Sequence, residues 1–97
     1  MVDENKPRPS TLDRKPGGKA TNISPEEKEA LRQLGKNIRA HRVAAGLTQA
    51  SLAELAGYDA VYLSYLEGGE RHPPFVTLYR IAKQLNCTVA NLLDDVD

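Results

Sequence analysis

Few side chains of this 97-residue chain stand at spacings that would support catalysis or metal binding. His41 and His72 lie far apart in the sequence, and the single cysteine, Cys87, is distant from both. This arrangement does not match the ligand spacing of a zinc site. No nucleophile stands beside a general base, and no carboxylate dyad is apparent. The sequence therefore predicts no enzyme, no metal site and no cofactor.

The tyrosines are better suited to contacts than to reactions. Tyr58, Tyr62 and Tyr65 recur at helical spacing, and Leu63 and Leu66 already occupy the inward positions beside them. We therefore expect Tyr62 and Tyr65 to be exposed. Tyrosine is enriched at interface hot spots, so an exposed pair suits recognition, and it suits a protein partner as well.

The charge balance limits where an anionic partner can bind. The chain has thirteen Lys and Arg residues and thirteen Asp and Glu residues, so its net charge is zero and any basic surface must be local. Residues 1–23 hold five basic and three acidic residues, a net charge of +2. Residues 47–70 hold four acidic residues and no Lys or Arg, a net charge of −4.

The length predicts one domain, because a chain this short cannot form two separate cores. The sequence shows no secretory signal and no apolar run long enough for a membrane span, so we expect a cytoplasmic protein. Residues 1–23 are rich in Pro, Gly and charge and predict a disordered arm. The remaining residues, 24–97, form the predicted domain.

Residues that typically begin or end helices divide this domain into five predicted helical segments. Ser24 and Glu27 form a capping box around Pro25 and predict a first helix at about 25–45, ended by Gly46. Its apolar face is predicted to contain Leu31, Leu34, Ile38 and Ala45. A second helix at 49–56 precedes the turn 57–59, and a third follows, ending at Gly68.

The two remaining segments complete an all-α prediction. The fourth helix is predicted to bury Phe75, Leu78, Ile81, Ala82 and Leu85. Thr88 caps a short fifth helix. We expect Leu92, Leu93 and Val96 to leave apolar surface there for a homodimer.

Residues 49–67 have the pattern of a helix-turn-helix, two short helices joined by a three-residue turn. Gly57 permits a left-handed turn conformation, and Asp59 is placed to cap the third helix. The wider segment 34–93 resembles the lambda-repressor/Cro-like (XRE) family of helix-turn-helix transcription regulators. This resemblance implies a five-helix lambda-repressor-like domain that binds double-stranded DNA.

The resemblance also implies roles for particular residues. Tyr58 stands in the turn where family members usually carry a hydrophobe, so we expect it in the core. Gln49 corresponds to a glutamine that holds a phosphate and braces the recognition helix, and Arg42 and Glu67 correspond to a structural ion pair between the first and third helices. The helix at about 60–68 is expected to read the major groove. Its groove-facing positions by the family pattern are Ala60, Val61, Tyr62, Ser64 and Tyr65.

The chain departs from the family pattern at these reading positions, which are apolar or hydroxylic instead of carrying Arg, Gln, Asn or Lys. Phosphate attraction must then come from flanking residues: Lys36, Arg39, Arg71 and His72. Pro74 also replaces the usual Ser or Thr cap of the fourth helix. We therefore expect a sequence-specific, DNA-binding transcription regulator that is nucleoid-associated. The net charge of −4 on residues 47–70 leaves an alternative open, a protein-binding adaptor or antitoxin-like component.

Overall fold

The computed structural model describes residues 22–97, and the predicted arm, apart from Asn22 and Ile23, lies outside them. Within this range the chain forms five helices and no strand. They are α1 (Pro25–Ala44), α2 (Gln49–Ala56), α3 (Ala60–Glu67), α4 (Phe75–Gln84) and α5 (Val89–Leu92). The all-helical prediction is confirmed, and α1, α2 and α3 each lie within one residue of their expected bounds.

Local capping explains most of these boundaries. Ser24 Oγ accepts a hydrogen bond from the Glu27 amide, and the Glu27 carboxylate accepts one from the Ser24 amide, so the predicted capping box is present. Thr88 caps α5 in the same reciprocal way with Asn91. Pro74 precedes α4 without any side-chain cap, as its residue type predicts.

The helices surround one apolar core. Helix α3 packs on α1 and α2, while α4 packs on α2 and α5, and α5 returns to α1. The fully buried side chains at its centre are Ile38, Leu52, Leu63, Ile81 and Leu92. The core therefore holds the helix-turn-helix, α2 and α3, against α1 and α4.

Gly35 sets how closely α1 approaches α3. A Cβ built at this position would lie 2.6 Å from the Leu66 carbonyl oxygen, and it would also clash with the carbonyl oxygen of Glu67. Because real Cβ atoms do not come this close to backbone oxygen, only glycine fits here. The sequence pattern did not single out this residue.

Three burial predictions for the helix faces are wrong. Ala45 is exposed, because α1 ends at Ala44 and Arg42 takes the buried position one turn after Ile38. Phe75 is 65% exposed, since it occupies the first turn of α4 and stacks on Tyr79 with ring centroids 6.2 Å apart.

The third error concerns α5. Leu92 is fully buried within the chain, so it cannot supply the apolar dimer surface that we predicted. Leu93 is 40% exposed and Val96 is half-buried. The predicted surface is therefore smaller than the sequence indicated.

Candidate nucleic-acid interface

The turn between α2 and α3 has the expected geometry. Gly57 ends α2 with φ +89°, a left-handed conformation that is unfavourable for residues with a Cβ. Asp59 caps α3, its carboxylate accepting a hydrogen bond of 2.8 Å from the Tyr62 amide. These two local features orient α3 relative to α2.

A buried ion pair joins α3 to α1, as the family resemblance implied. Arg42 Nε lies 2.6 Å from Glu67 Oε2, and Arg42 Nη2 donates to Glu67 Oε1 at 3.0 Å. The Arg42 side chain is 11% exposed and that of Glu67 is 4% exposed. The hydrogen bond to Glu67 raises the pKa of Arg42, even though desolvation opposes it.

The same carboxylate also holds α2. Gln49 Nε2 donates to Glu67 Oε1 at 3.0 Å, and Arg42 Nη1 donates to the Leu47 carbonyl oxygen at 2.8 Å. The ends of α1, α2 and α3 are therefore tied together at one carboxylate. Arg42 also neutralises the charge of Glu67. Of the formal net charge of −4 on residues 47–70, −3 is therefore left without this partner.

The exposed side of α3 carries three of the five predicted reading positions. Val61 is 62% exposed, Tyr65 is 37% exposed, and Ser64 is exposed. Ala60 and Tyr62 are half-buried. Val61, Ser64 and Tyr65 can therefore meet a groove directly.

The expected exposure of Tyr62 is wrong in part. Its ring packs on that of Tyr58, with centroids 5.3 Å apart, and both rings lie against the core. Tyr58 is anchored in turn, since its hydroxyl lies 2.9 Å from Thr77 Oγ1 of α4. This aromatic pair therefore supports the start of α3 on its core-facing side. The spacing of residues within α3 does not reveal this contact.

The flanking cations predicted to hold phosphates occupy two regions. Lys36 and Arg39 are exposed on α1. Arg39 is one turn after Gly35, so it lies on the side of α1 that faces the end of α3. His72 is exposed in the α3–α4 loop and lines a cleft of about 400 Å³ with Ile23 and Leu31.

Arg71 lies against α3. Its Cζ is 4.2 Å from the ring centroid of Tyr65. A second arginine, Arg80 of α4, approaches the turn, with Cζ 5.8 Å from the Tyr58 ring centroid. Sequence reasoning missed Arg80, because it is separated from this turn by more than 20 positions and only the packing of α4 on α2 brings them together.

The Helix-turn-helix family model (HTH_3) matches residues 38–92, more than half of the chain. The chain belongs to the XRE-type helix-turn-helix family of transcriptional regulators. The matched segment includes the Arg42–Glu67 pair, Gln49 and all of α3. The family resemblance that the sequence of residues 34–93 indicated is therefore confirmed.

Three relatives illustrate this membership. The uncharacterized HTH-type transcriptional regulator y4dJ of Sinorhizobium fredii is 36% identical over 64 residues, which cover 66% of this chain and 83% of the relative. Control protein C.SmaI of Serratia marcescens is 38% identical over 60 residues, 62% of this chain and 71% of the relative. A solved structure, the restriction-modification controller protein C.AhdI from Aeromonas hydrophila, is 34% identical with a TM-score of 0.63, covering 64% of this chain and 94% of C.AhdI.

Other parts of the described structure carry no comparable arrangement. Among residues 22–97 no group of three or more His, Cys, Asp or Glu side chains is placed to hold a metal ion. In the same residues, no helix has the length and apolar character needed to cross a membrane. Cys87 is half-buried, and its burial raises the pKa of the thiol.

Proposed function

We propose that this regulator binds a specific double-stranded DNA site as a homodimer, with α3 in the major groove. The observation that carries the proposal is the exposed side of α3, held by a carboxylate that joins α1, α2 and α3. A recognition helix must be fixed in this way, because base contacts depend on its position within the groove. The descriptions of the relatives as regulators and control proteins support regulation as the outcome of binding.

The contacts divide into phosphate and base contacts. Lys36, Arg39, Gln49 and His72 are proposed to position the domain on phosphates. The exposed reading positions Val61, Ser64 and Tyr65 meet the bases. Because valine favours thymine methyl groups and hydroxyls accept or donate single hydrogen bonds, the proposed site is rich in A·T pairs.

Selection from random duplex DNA tests this function. The full chain is used to enrich sites, and the best site and a scrambled duplex are then titrated at two salt concentrations. We expect one enriched sequence in two half-sites related by two-fold symmetry, about 34 Å apart. Equal affinity for both duplexes at each salt concentration would contradict specific binding.

A pair of valine variants separates groove contact from a general effect of charge. Val61→Glu places a carboxylate on the proposed reading surface, and Val76→Glu makes the same change at a similarly exposed valine of α4. We expect Val61→Glu to weaken binding to the selected site by at least about tenfold. Val76→Glu should leave it nearly unchanged, and an equal loss in both variants would argue against α3 as the reading element.

The exposed apolar side chains of α4 favour a second candidate function, contact with a protein partner. Phe75, Val76 and Tyr79 are each about half exposed or more, and Tyr79 lines a shallow cleft with exposed Leu55 of α2. If Val76→Glu abolishes a protein association and the unaltered chain binds the enriched and scrambled duplexes equally, the adaptor function replaces site-specific DNA binding.

A further inference from the structure

The contact between Arg71 and Tyr65 restricts a loop arginine to the reading surface. The Arg71 guanidinium lies over the exposed Tyr65 ring, 4.2 Å from Cζ to the ring centroid. Its Nη1 donates to the Glu70 carbonyl oxygen at 3.0 Å. A phosphate contact alone requires neither interaction, since a mobile arginine on this loop would reach a phosphate as well.

The hydrogen bond to Glu70 leaves the useful edge of the guanidinium available. Arginine has five N–H donors, and one of those on Nη1 is engaged. The hydrogen bonds within residues 22–97 do not involve Nε or Nη2 of Arg71. The hydrogens on these two nitrogens are parallel, and this geometry matches two neighbouring acceptors.

The exposed side of α3 has no such pair of parallel N–H donors among its own side chains. Val61 has no donor, and Ser64 and Tyr65 have one hydroxyl each. Arg42 is committed to Glu67 and is buried. Within the described residues, Arg71 is therefore the arginine whose guanidinium is in contact with an exposed reading position of α3.

We propose that Arg71 reads a guanine through its O6 and N7 atoms, and that the Tyr65 ring positions the guanidinium for this contact. Guanine presents these two acceptors side by side in the major groove, and a bidentate arginine distinguishes it from the other bases. The proposal rests on the proposed function. The proposed Arg71 contact predicts one G·C pair in each half-site. The remaining positions of the half-site, which meet the side chains of α3, stay rich in A·T pairs.

The test uses DNA in which 7-deazaguanine replaces the guanine of the selected half-site, because this base still pairs with cytosine but lacks the N7 acceptor. Binding of the full chain to both duplexes is compared with binding by Arg71→Ala. The matched control is Arg39→Ala, which removes an exposed arginine of α1. Coupling between the protein change and the base change isolates the pairwise contact.

We expect 7-deazaguanine to weaken binding of the unaltered chain by about fivefold or more. The effect should vanish in Arg71→Ala and persist in Arg39→Ala. Tyr65→Phe keeps the ring and should retain the effect, whereas Tyr65→Leu removes the ring and should reduce it. The midpoint of thermal unfolding of each variant checks that the fold is intact.

Two results would overturn the proposal in distinguishable ways. If a site is selected but the 7-deazaguanine effect is absent, or is the same in Arg71→Ala, Arg71 does not read guanine and the proposed function stands. If no sequence is enriched by the unaltered chain, the proposed function fails and this inference fails with it.

Discussion

Replacing Arg42 by alanine would leave a carboxylate buried without its charge partner. The Glu67 side chain is 4% exposed and would retain Gln49 as its remaining side-chain partner. The Leu47 carbonyl oxygen would also lose the Arg42 hydrogen bond. Removing one partner of a buried ion pair typically costs about 3–5 kcal/mol, so we expect Arg42→Ala to lower the free energy of unfolding by this amount.

An exposed ion pair on the same helix provides the matched control. Arg32 Nη2 lies 3.1 Å from Glu29 Oε1, but the two side chains are 53% and 64% exposed. Pairs of this kind contribute about 0.3–0.5 kcal/mol, because water screens them. Arg32→Ala should therefore be about tenfold less destabilising in energy than Arg42→Ala.

Urea unfolding at pH 7, followed by circular dichroism at 222 nm, measures these differences. A domain of this size has a total stability of roughly 4–11 kcal/mol, so Arg42→Ala would be largely unfolded if the native value is low. The double variant Arg42→Leu with Glu67→Leu removes both charges and should recover much of the loss. A cost below about 1 kcal/mol for Arg42→Ala would refute the reasoning, since it would show that Glu67 without its partner is solvated with no appreciable penalty.

Three further substitutions and one labelling experiment test other parts of the structure. Gly35→Ala should destabilise the fold by about 1–3 kcal/mol or more in the same urea experiment, because its Cβ would overlap the Glu67 carbonyl oxygen; a neutral effect would disprove the close approach. Arg39→Ala should weaken binding to all DNA sequences and flatten the slope of log K against log salt by about 1, and an unchanged slope would remove it from the phosphate contacts. Leu93→Glu should shift sedimentation from dimer toward monomer, whereas a monomer before the change would exclude the homodimer. Cys87 should react with iodoacetamide more slowly at pH 8 in the folded chain than in urea, because its raised pKa and partial burial lower the accessible thiolate; equal rates would contradict this.

The helix boundaries could be predicted from the sequence because they depend on neighbours in the chain. The capping box at Ser24, the glycine at position 57 and the cap at Asp59 act over three or four residues, and all are present. The Arg42–Glu67 pair was also correctly expected, but from resemblance to a family. Local propensity gives no information on a partner 25 positions away.

The sequence alone thus determined where the helices begin and end, since capping and helical periodicity are local properties. Tertiary packing decided how far each apolar face is covered, because periodicity gives the direction of a side chain but not where the neighbouring helix ends. Phe75 was exposed and Leu92 fully buried for this reason. Packing also brought Arg71 onto Tyr65, a contact between a loop and a helix surface that depends on the path of the chain after α3.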